Sequence, residues 1–196
     1  MKSTLHHYLR RALIATALIT TQPAHAADVT GVHFDEKARV AGSELILNGS
    51  GLRTRFMLRI YAIGLYLPKH AGNTDAIAGT SGPKRIQIVT LRDLSAEQFA
   101  DALVDGLKKN HGDAEFSKLQ TRIDDFRTAL LSLKSAPKGS EIRLEWLPAS
   151  GTRLSVGNEI RSKDIPGEDF FQALLRIWLG DKPADQDLKN ALLGKA

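Results

Sequence analysis

The chain of 196 residues contains no cysteine. This absence excludes disulfide bonds, thiolate metal sites and cysteine nucleophiles. The region after residue 26 also lacks a dense basic patch, which argues against a nucleic-acid-binding protein. Its length is that of one domain, and a domain of this size can bury a core without covalent staples.

The chain begins with an apolar run, residues 12–19, that is far shorter than the ~20 residues a membrane span needs. Three basic residues precede this run, and a proline and the small-x-small sequence at 24–26 follow it. This order is typical of a secretory signal peptide. We therefore predict a signal peptide over residues 1–26, cleavage before Ala27, a periplasmic location and no stable membrane anchor. Without the signal peptide, the formal net charge of +5 falls to about +2.

The remaining sequence predicts strands followed by helices, and then strands and helices again. Ser95 and Gln98 form a capping box, which predicts the start of a helix. Glycines at 49–51 predict a turn after the first strand. Strand patterns occupy 44–49, 52–67, 85–91, 139–148 and 151–157, with 158–161 extending the last; further helices are predicted over 116–133, over 169–179 and from Pro183. We predict one α+β domain over residues 27–196, a large antiparallel sheet with a layer of helices on one face.

Several segments resemble the chalcone isomerase-like superfamily. Gly49-Ser50-Gly51-Leu52-Arg53 and residues 59–67 are similar to its opening strands, and residues 91–95 and 177–180 are similar to its bacterial, exported branch. The resemblance covers residues 31–194 and implies a ligand cleft between sheet and helices. The superfamily contains enzymes that cyclise chalcones to flavanones and non-catalytic members that bind fatty acids.

The resemblance also assigns the polar residues of the cleft. Arg53 matches the catalytic arginine of the enzymes, whereas their threonine is replaced by Tyr61. Their tyrosine and asparagine fall on Phe99 and Gly106, and a last pocket residue falls near Glu168 or Asp169. The fatty-acid-binding branch keeps the arginine and has tyrosine in place of the threonine, as this chain does.

A guanidinium offers a planar fork to a carboxylate, and a phenol adds one hydrogen bond. We therefore expect a non-catalytic protein that binds a small hydrophobic ligand with an acidic head, such as a fatty acid. The candidate ligand-binding residues are Arg53, Tyr61, Arg59, Met57, Ile63 and Phe99.

The spacing of Arg53 and Tyr61 sets a condition on this site. On an unbroken strand, eight residues span ~26 Å, too far for one carboxylate. The pair shares a head group only if the chain bends near residues 55–57; otherwise Arg59, expected on the face of Tyr61, is the nearer charge.

Two other functions stay open at this stage. One is an isomerase or lyase in which Arg53 polarises a carbonyl and Tyr61 acts as the acid. The other is a haem carrier, because a single histidine or tyrosine can hold haem iron. His33, His70 and His111 lack metal-ligand spacing and are expected to be solvated, so no metal or other cofactor is predicted.

Overall fold

The computed structural model describes residues 26–195. The predicted signal peptide lies outside these residues apart from its last position. The strands are β1 Ala27–Val29, β2 Val32–Phe34, β3 Lys37–Val40, β4 Ser43–Arg55, β5 Leu58–Leu67, β6 Lys84–Thr90, β7 Leu94–Ser95, β8 Ser135–Ala136, β9 Glu141–Leu147, β10 Gly151–Val156 and β11 Glu159–Ile160. The helices are α1 Thr74–Ala78, α2 Ala96–Asn110, α3 Asp113–Leu131, α4 Glu168–Leu179 and α5 Gln186–Leu192.

Seven of the strands form one antiparallel sheet in the order β11-β10-β9-β6-β5-β4-β3. The main core lies between one face of this sheet and the helices, and Ile63, Ile88, Phe126 and Trp178 are among its buried members. Alternation along β5 explains the layering, since Tyr61, Ile63 and Leu65 face the helices. The predicted α+β fold, with helices on one face of a large antiparallel sheet, is confirmed.

Residues 52–67 were expected to form one extended stretch, but they form parts of two strands joined by a tight hairpin. Phe56 and Met57 connect β4 to β5, and both have positive φ, 48° and 63°. A two-residue hairpin connection favours this conformation, but it normally uses Asn-Gly. Side chains with a Cβ resist it, at a cost of roughly 1–2 kcal/mol per residue.

The predicted glycine turn at 49–51 is wrong, because β4 runs through it without a break. The two glycines instead allow helix α5 to lie on the strand. A Cβ on Gly49 would meet the backbone oxygen of Ala191, and a Cβ on Gly51 would lie 2.8 Å from side-chain atoms of α5. Glycine is therefore required by the close approach of the C-terminal helix.

Asn48 lies at a bulge in the pairing of β4 with β5, and its side chain binds the end of helix α5. Its side-chain amide is buried and donates to the carbonyls of Ala71 (3.1 Å) and Leu192 (2.8 Å). Its oxygen accepts from the backbone N–H of Ala71 at 2.8 Å. Three hydrogen bonds thus join the strand, the segment after β5 and α5.

Other boundaries agree closely with the sequence patterns. Ser95 caps α2 by accepting from the backbone N–H of Gln98, as the capping box predicts. Residues 159–160 do not extend β10 but turn back to pair with it as β11. No helix within residues 26–195 has the length and apolar character needed to cross a membrane.

Candidate functional site

A cleft of about 560 Å³ opens between the tip of the β4–β5 hairpin and helix α2. Its apolar wall includes Leu58, Ile60, Leu94, Phe99, Leu103 and Ile177. Its polar residues are Arg53, Arg55, Tyr61, Arg92, Asp93, Gln98, Asp101 and Asp105. The cleft therefore combines an apolar wall with polar groups of both charge signs, and small-molecule sites likewise use polar groups in an apolar lining to orient a ligand.

Arg53 and Tyr61 are directly opposite each other in the pairing of β4 with β5. Opposed residues of an antiparallel pair have Cα atoms only about 4.5–5.5 Å apart, and their side chains share a face. The hairpin turn at Phe56–Met57 is the bend that the shared site requires. Both side chains line the cleft.

Helix α5 supplies a carboxylate to Arg53. Asp185 caps the helix through one oxygen, which accepts from the backbone N–H groups of Asp187 and Leu188. Its other oxygen lies 3.5 Å from Nη1 of Arg53 and accepts from the backbone N–H of Thr54 at 3.2 Å. The charge of Arg53 is thus partly balanced by a carboxylate of the chain itself.

Tyr61 is 6% exposed, and its hydroxyl oxygen accepts from Nε1 of Trp178 at 2.9 Å. Burial raises the pKa of the phenol, although the Trp178 bond and the nearby Arg53 charge oppose this shift. The hydroxyl therefore stays protonated. No acceptor for its proton lies within hydrogen-bond distance in the described part of the chain, so the proton is available to a ligand.

Phe99, from the first turn of α2, packs against Tyr61. Their ring centroids are 6.4 Å apart, with an interplanar angle of 84°. Two turns further along α2, Gly106 lies against α4. A Cβ there would be 2.8 Å from Cγ2 of Ile177. The packing of α2 on α4 therefore leaves no room for a polar side chain at this position.

Three of the predicted ligand-binding residues do not line the cleft. Met57 lies at the hairpin tip and is 95% exposed, and Ile63 is buried in the core beyond the cleft. Arg59 was expected to share the face of Tyr61, and this expectation is wrong. The pairing shifts by one residue between Arg53 and Thr54, so that Arg59 is opposite Thr54 and faces away from the cleft.

The residues near the start of α4 are also remote from the cleft. Glu168 binds the buried ammonium of Lys84 at 2.8 Å, and Asp169 forms a bidentate pair with Arg122. These carboxylates hold α4 to the sheet and to α3. Neither serves as a pocket residue in this structure.

Sequence reasoning missed two contributors to the site. Asp185 has a local signal, because it follows Pro183-Ala184 and precedes the helix as an N-cap residue. Trp178 contributes through a hydrogen bond to Tyr61 that spans 117 positions of sequence. No local pattern predicts such a pairing.

A second depression, of about 640 Å³, lies on the sheet face opposite the helices. Three of its four arginines already hold carboxylates: Arg85 binds Glu145 at 2.6 Å, Arg143 lies 3.3 Å from Glu141, and Arg153 binds Asp164 at 2.7 Å. These ion pairs brace the sheet. The cleft at Arg53 and Tyr61 is therefore the stronger candidate.

Histidines contribute nothing to the lining of the cleft within residues 26–195. His111 was expected to be solvated, but it is buried, with Nδ1 2.7 Å from the carbonyl oxygen of Leu107. No group of three histidine or acidic side chains in the described region could hold a metal ion.

The chain is similar in sequence to one protein family and in fold to a solved structure. The family described as chalcone isomerase-like matches residues 26–194. A search of solved structures finds similarity to the crystal structure of an Arabidopsis thaliana fatty-acid-binding protein. The TM-score is 0.62 at 18% sequence identity, and the match covers 84% of this chain and 92% of that one. No curated protein sequence matches the chain significantly.

Proposed function

We propose that this chain, which belongs to the chalcone isomerase-like family, is a non-catalytic protein that binds a fatty acid or a similar amphipathic anion in the cleft. The observation that carries the proposal is the opposition of Arg53 and Tyr61 across the hairpin, beside the apolar wall of the cleft. The structural neighbour, itself a fatty-acid-binding protein, supports this choice of ligand.

The head group is held by two donors of different character. Arg53 uses Nη1 on Thr54 and Asp185, and its guanidinium has further N–H groups for a carboxylate. Tyr61 donates its free hydroxyl proton while Trp178 holds its oxygen in place. An anion gains a charge-assisted bond from the first residue and an oriented neutral donor from the second.

The acyl chain lies against the apolar wall. Ile60 joins this wall because the strand bulge places it on the same side as Tyr61. Phe99 and Leu103 from α2 and Ile177 from α4 continue the surface. The volume of about 560 Å³ is within the range of small-molecule pockets.

We place this activity in the periplasm, on the basis of the signal-peptide pattern over residues 1–26. Protein recovered from the periplasm is expected to begin at Ala27. N-terminal sequencing measures this directly, and a mature protein that still starts at Met1 would refute the export proposal.

The decisive experiment is calorimetric titration of the delipidated mature protein with a medium-chain fatty acid. Arg53→Ala should weaken binding by about 2 kcal/mol, or about thirtyfold, because a charged partner of the carboxylate is lost. Tyr61→Phe should cost about 1 kcal/mol, because one neutral donor is lost. Lysine at position 53 should rescue only in part, since the planar fork is absent.

The chain offers matched controls for both residues. Arg59→Gln removes an arginine of the same hairpin that faces away from the cleft, so binding should be unchanged. Tyr66→Phe removes a hydroxyl from the opposite face of β5, where it donates to the carbonyl of Asp35 at 3.0 Å. If Arg53→Ala and Arg59→Gln reduce affinity equally, the head-group site is elsewhere.

A further inference from the structure

The largest concentration of exposed apolar side chains in the described part of the chain lies at the end of the β4–β5 hairpin. Phe56 is 84% exposed, Met57 95% and Leu58 51%. The other large apolar side chain that is similarly exposed, Ile160 at 58%, stands alone on the distant edge strand β11. We call residues 55–59 the hairpin tip.

The stability of the fold does not explain why phenylalanine and methionine occupy positions 56 and 57 of the hairpin tip. Phe56 and Met57 occupy left-handed backbone positions that glycine and asparagine adopt at lower cost. Neither side chain is buried in return. Backbone strain held at an exposed apolar turn is an observation that favours a function in contact with another surface.

The charges around the hairpin tip indicate what that surface is. Arg55 and Arg59 flank the apolar residues, and Arg92 is among the residues that line the cleft. None of these three arginines forms an ion pair within residues 26–195. Arg55 instead lies over the ring of Phe56, 5.3 Å from its centroid. The hairpin tip itself thus carries two arginines and no acidic residue around its apolar side chains, whereas the carboxylates that line the cleft, Asp93, Asp101 and Asp105, belong to the segment before α2 and to α2.

We propose that the hairpin tip docks on the surface of an anionic phospholipid bilayer. Phe56, Met57 and Leu58 enter the boundary between headgroups and acyl chains, and the flanking arginines bind lipid phosphates. A protein partner fits less well, because three side chains at a turn provide far less than the ~800 Å² per partner that a stable interface buries.

Docking also orients the cleft. Phe56 and Leu58 belong both to the hairpin tip and to the lining of the cleft. When the tip is inserted, the mouth of the cleft faces the bilayer. An amphipathic ligand can then pass between the two without crossing open water.

The test uses the mature protein and vesicles of phosphatidylcholine, with and without an equal share of phosphatidylglycerol. The wild-type protein should sediment with the anionic vesicles and only weakly with the neutral ones. Phe56→Trp is a reporter, because Trp146 and Trp178 are buried. Its emission should shift to the blue on anionic vesicles and be quenched by brominated acyl chains. Emission that stays at the water-exposed wavelength would overturn insertion.

The discriminating variant is Phe56→Asn/Met57→Gly, which gives the turn its preferred residues. It should unfold at a higher temperature than the wild type, yet lose vesicle binding by at least about tenfold, since two large apolar side chains are withdrawn. Arg55→Gln and Arg59→Gln should each weaken binding to anionic vesicles by about fivefold.

Ile160→Asn and Lys109→Gln are the controls for apolar exposure and for charge, and both should bind as the wild type does. Equal losses in these controls would show non-specific adsorption and overturn the proposal. Vesicle binding that Phe56→Asn/Met57→Gly retains in full would overturn the proposal as well. The alternative is that the hairpin tip joins two copies of the chain. The wild-type protein would then not bind vesicles and would be a dimer in ultracentrifugation, whereas Phe56→Asn/Met57→Gly would be a monomer.

Discussion

The carboxylate of Asp185 lies 3.5 Å from the guanidinium of Arg53, although 132 positions separate them in sequence. Helix α5 places Asp185 there by lying on the two glycines of β4. An internal carboxylate thus occupies part of the donor capacity that a ligand head group would use. Asp185 sets how strongly Arg53 attracts an anion.

The first prediction is that Asp185→Asn tightens the binding of a fatty acid. Asparagine is as good an N-cap as aspartate, so α5 should stay in place while the competing negative charge is removed. We expect a gain of about 1 kcal/mol, or roughly fivefold in Kd.

Calorimetry with the methyl ester of the same fatty acid is the control, and its affinity should not change. An intact variant that binds the acid no better than the wild type would contradict a role for Arg53 in binding the head group.

The second prediction concerns the fit of α5 on β4. Gly49→Ala should destabilise the protein by about 2 kcal/mol or more, because its Cβ would overlap the backbone of Ala191 and Leu192. The variant should also bind the fatty acid more tightly, since displacement of α5 moves the competing carboxylate of Asp185 away from Arg53. Urea unfolding and calorimetry measure the two effects.

Gly72 supplies the matched control, because a Cβ there meets nothing within 4 Å. Gly72→Ala should leave both stability and binding close to wild type. If the two alanine variants behave alike, the glycines of β4 are not required by α5.

The sequence predicted the parts of this arrangement that depend on local patterns. Alternation identified the strand that carries Tyr61, and the capping box at Ser95 located α2. The sequence could not predict the face of the sheet on which Arg59 lies, because a one-residue bulge moves every side chain beyond it to the opposite face. The glycines at 49 and 51 were interpreted as a turn because the helix that explains them lies some 140 positions further along the chain.

The third prediction is an acid-sensitive contribution to stability from Asp164. Arg153 donates two hydrogen bonds to this carboxylate, at 2.7 and 2.8 Å, and Ser150 donates a third at 2.6 Å. The Arg153 bonds, followed by the Ser150 bond, hold the pKa of Asp164 below its ordinary value. The resulting stability is fully present above the unfolded pKa near 4, and it is lost as the pH falls through the lower pKa of the folded state.

Asp164→Asn should therefore reduce the free energy of unfolding by about 1–2 kcal/mol at neutral pH, and by progressively less below about pH 4. Chemical unfolding across this range measures the difference. Asp181→Asn, at an exposed aspartate, is the control and should shift stability little at any pH. A deficit for Asp164→Asn that stays constant down to low pH would show that the ion pair is not its source.

The last prediction is that the purified protein does not cyclise a simple chalcone above the rate in buffer. Acceleration of such a reaction needs donors directed at the charge that develops on oxygen. At the positions where the resemblance places tyrosine and asparagine in the enzymes, this chain has Phe99 and Gly106, which supply no side-chain donor. The asparagine cannot be restored, because a Cβ at Gly106 would lie 2.8 Å from Ile177. Arg53 remains, but Asp185 beside it disfavours an anionic intermediate.

Loss of chalcone absorbance should therefore proceed equally with wild type, with Arg53→Ala and with no protein. Turnover that requires Arg53 would establish an enzyme with a different set of donors, and it would displace the binding function proposed for this cleft.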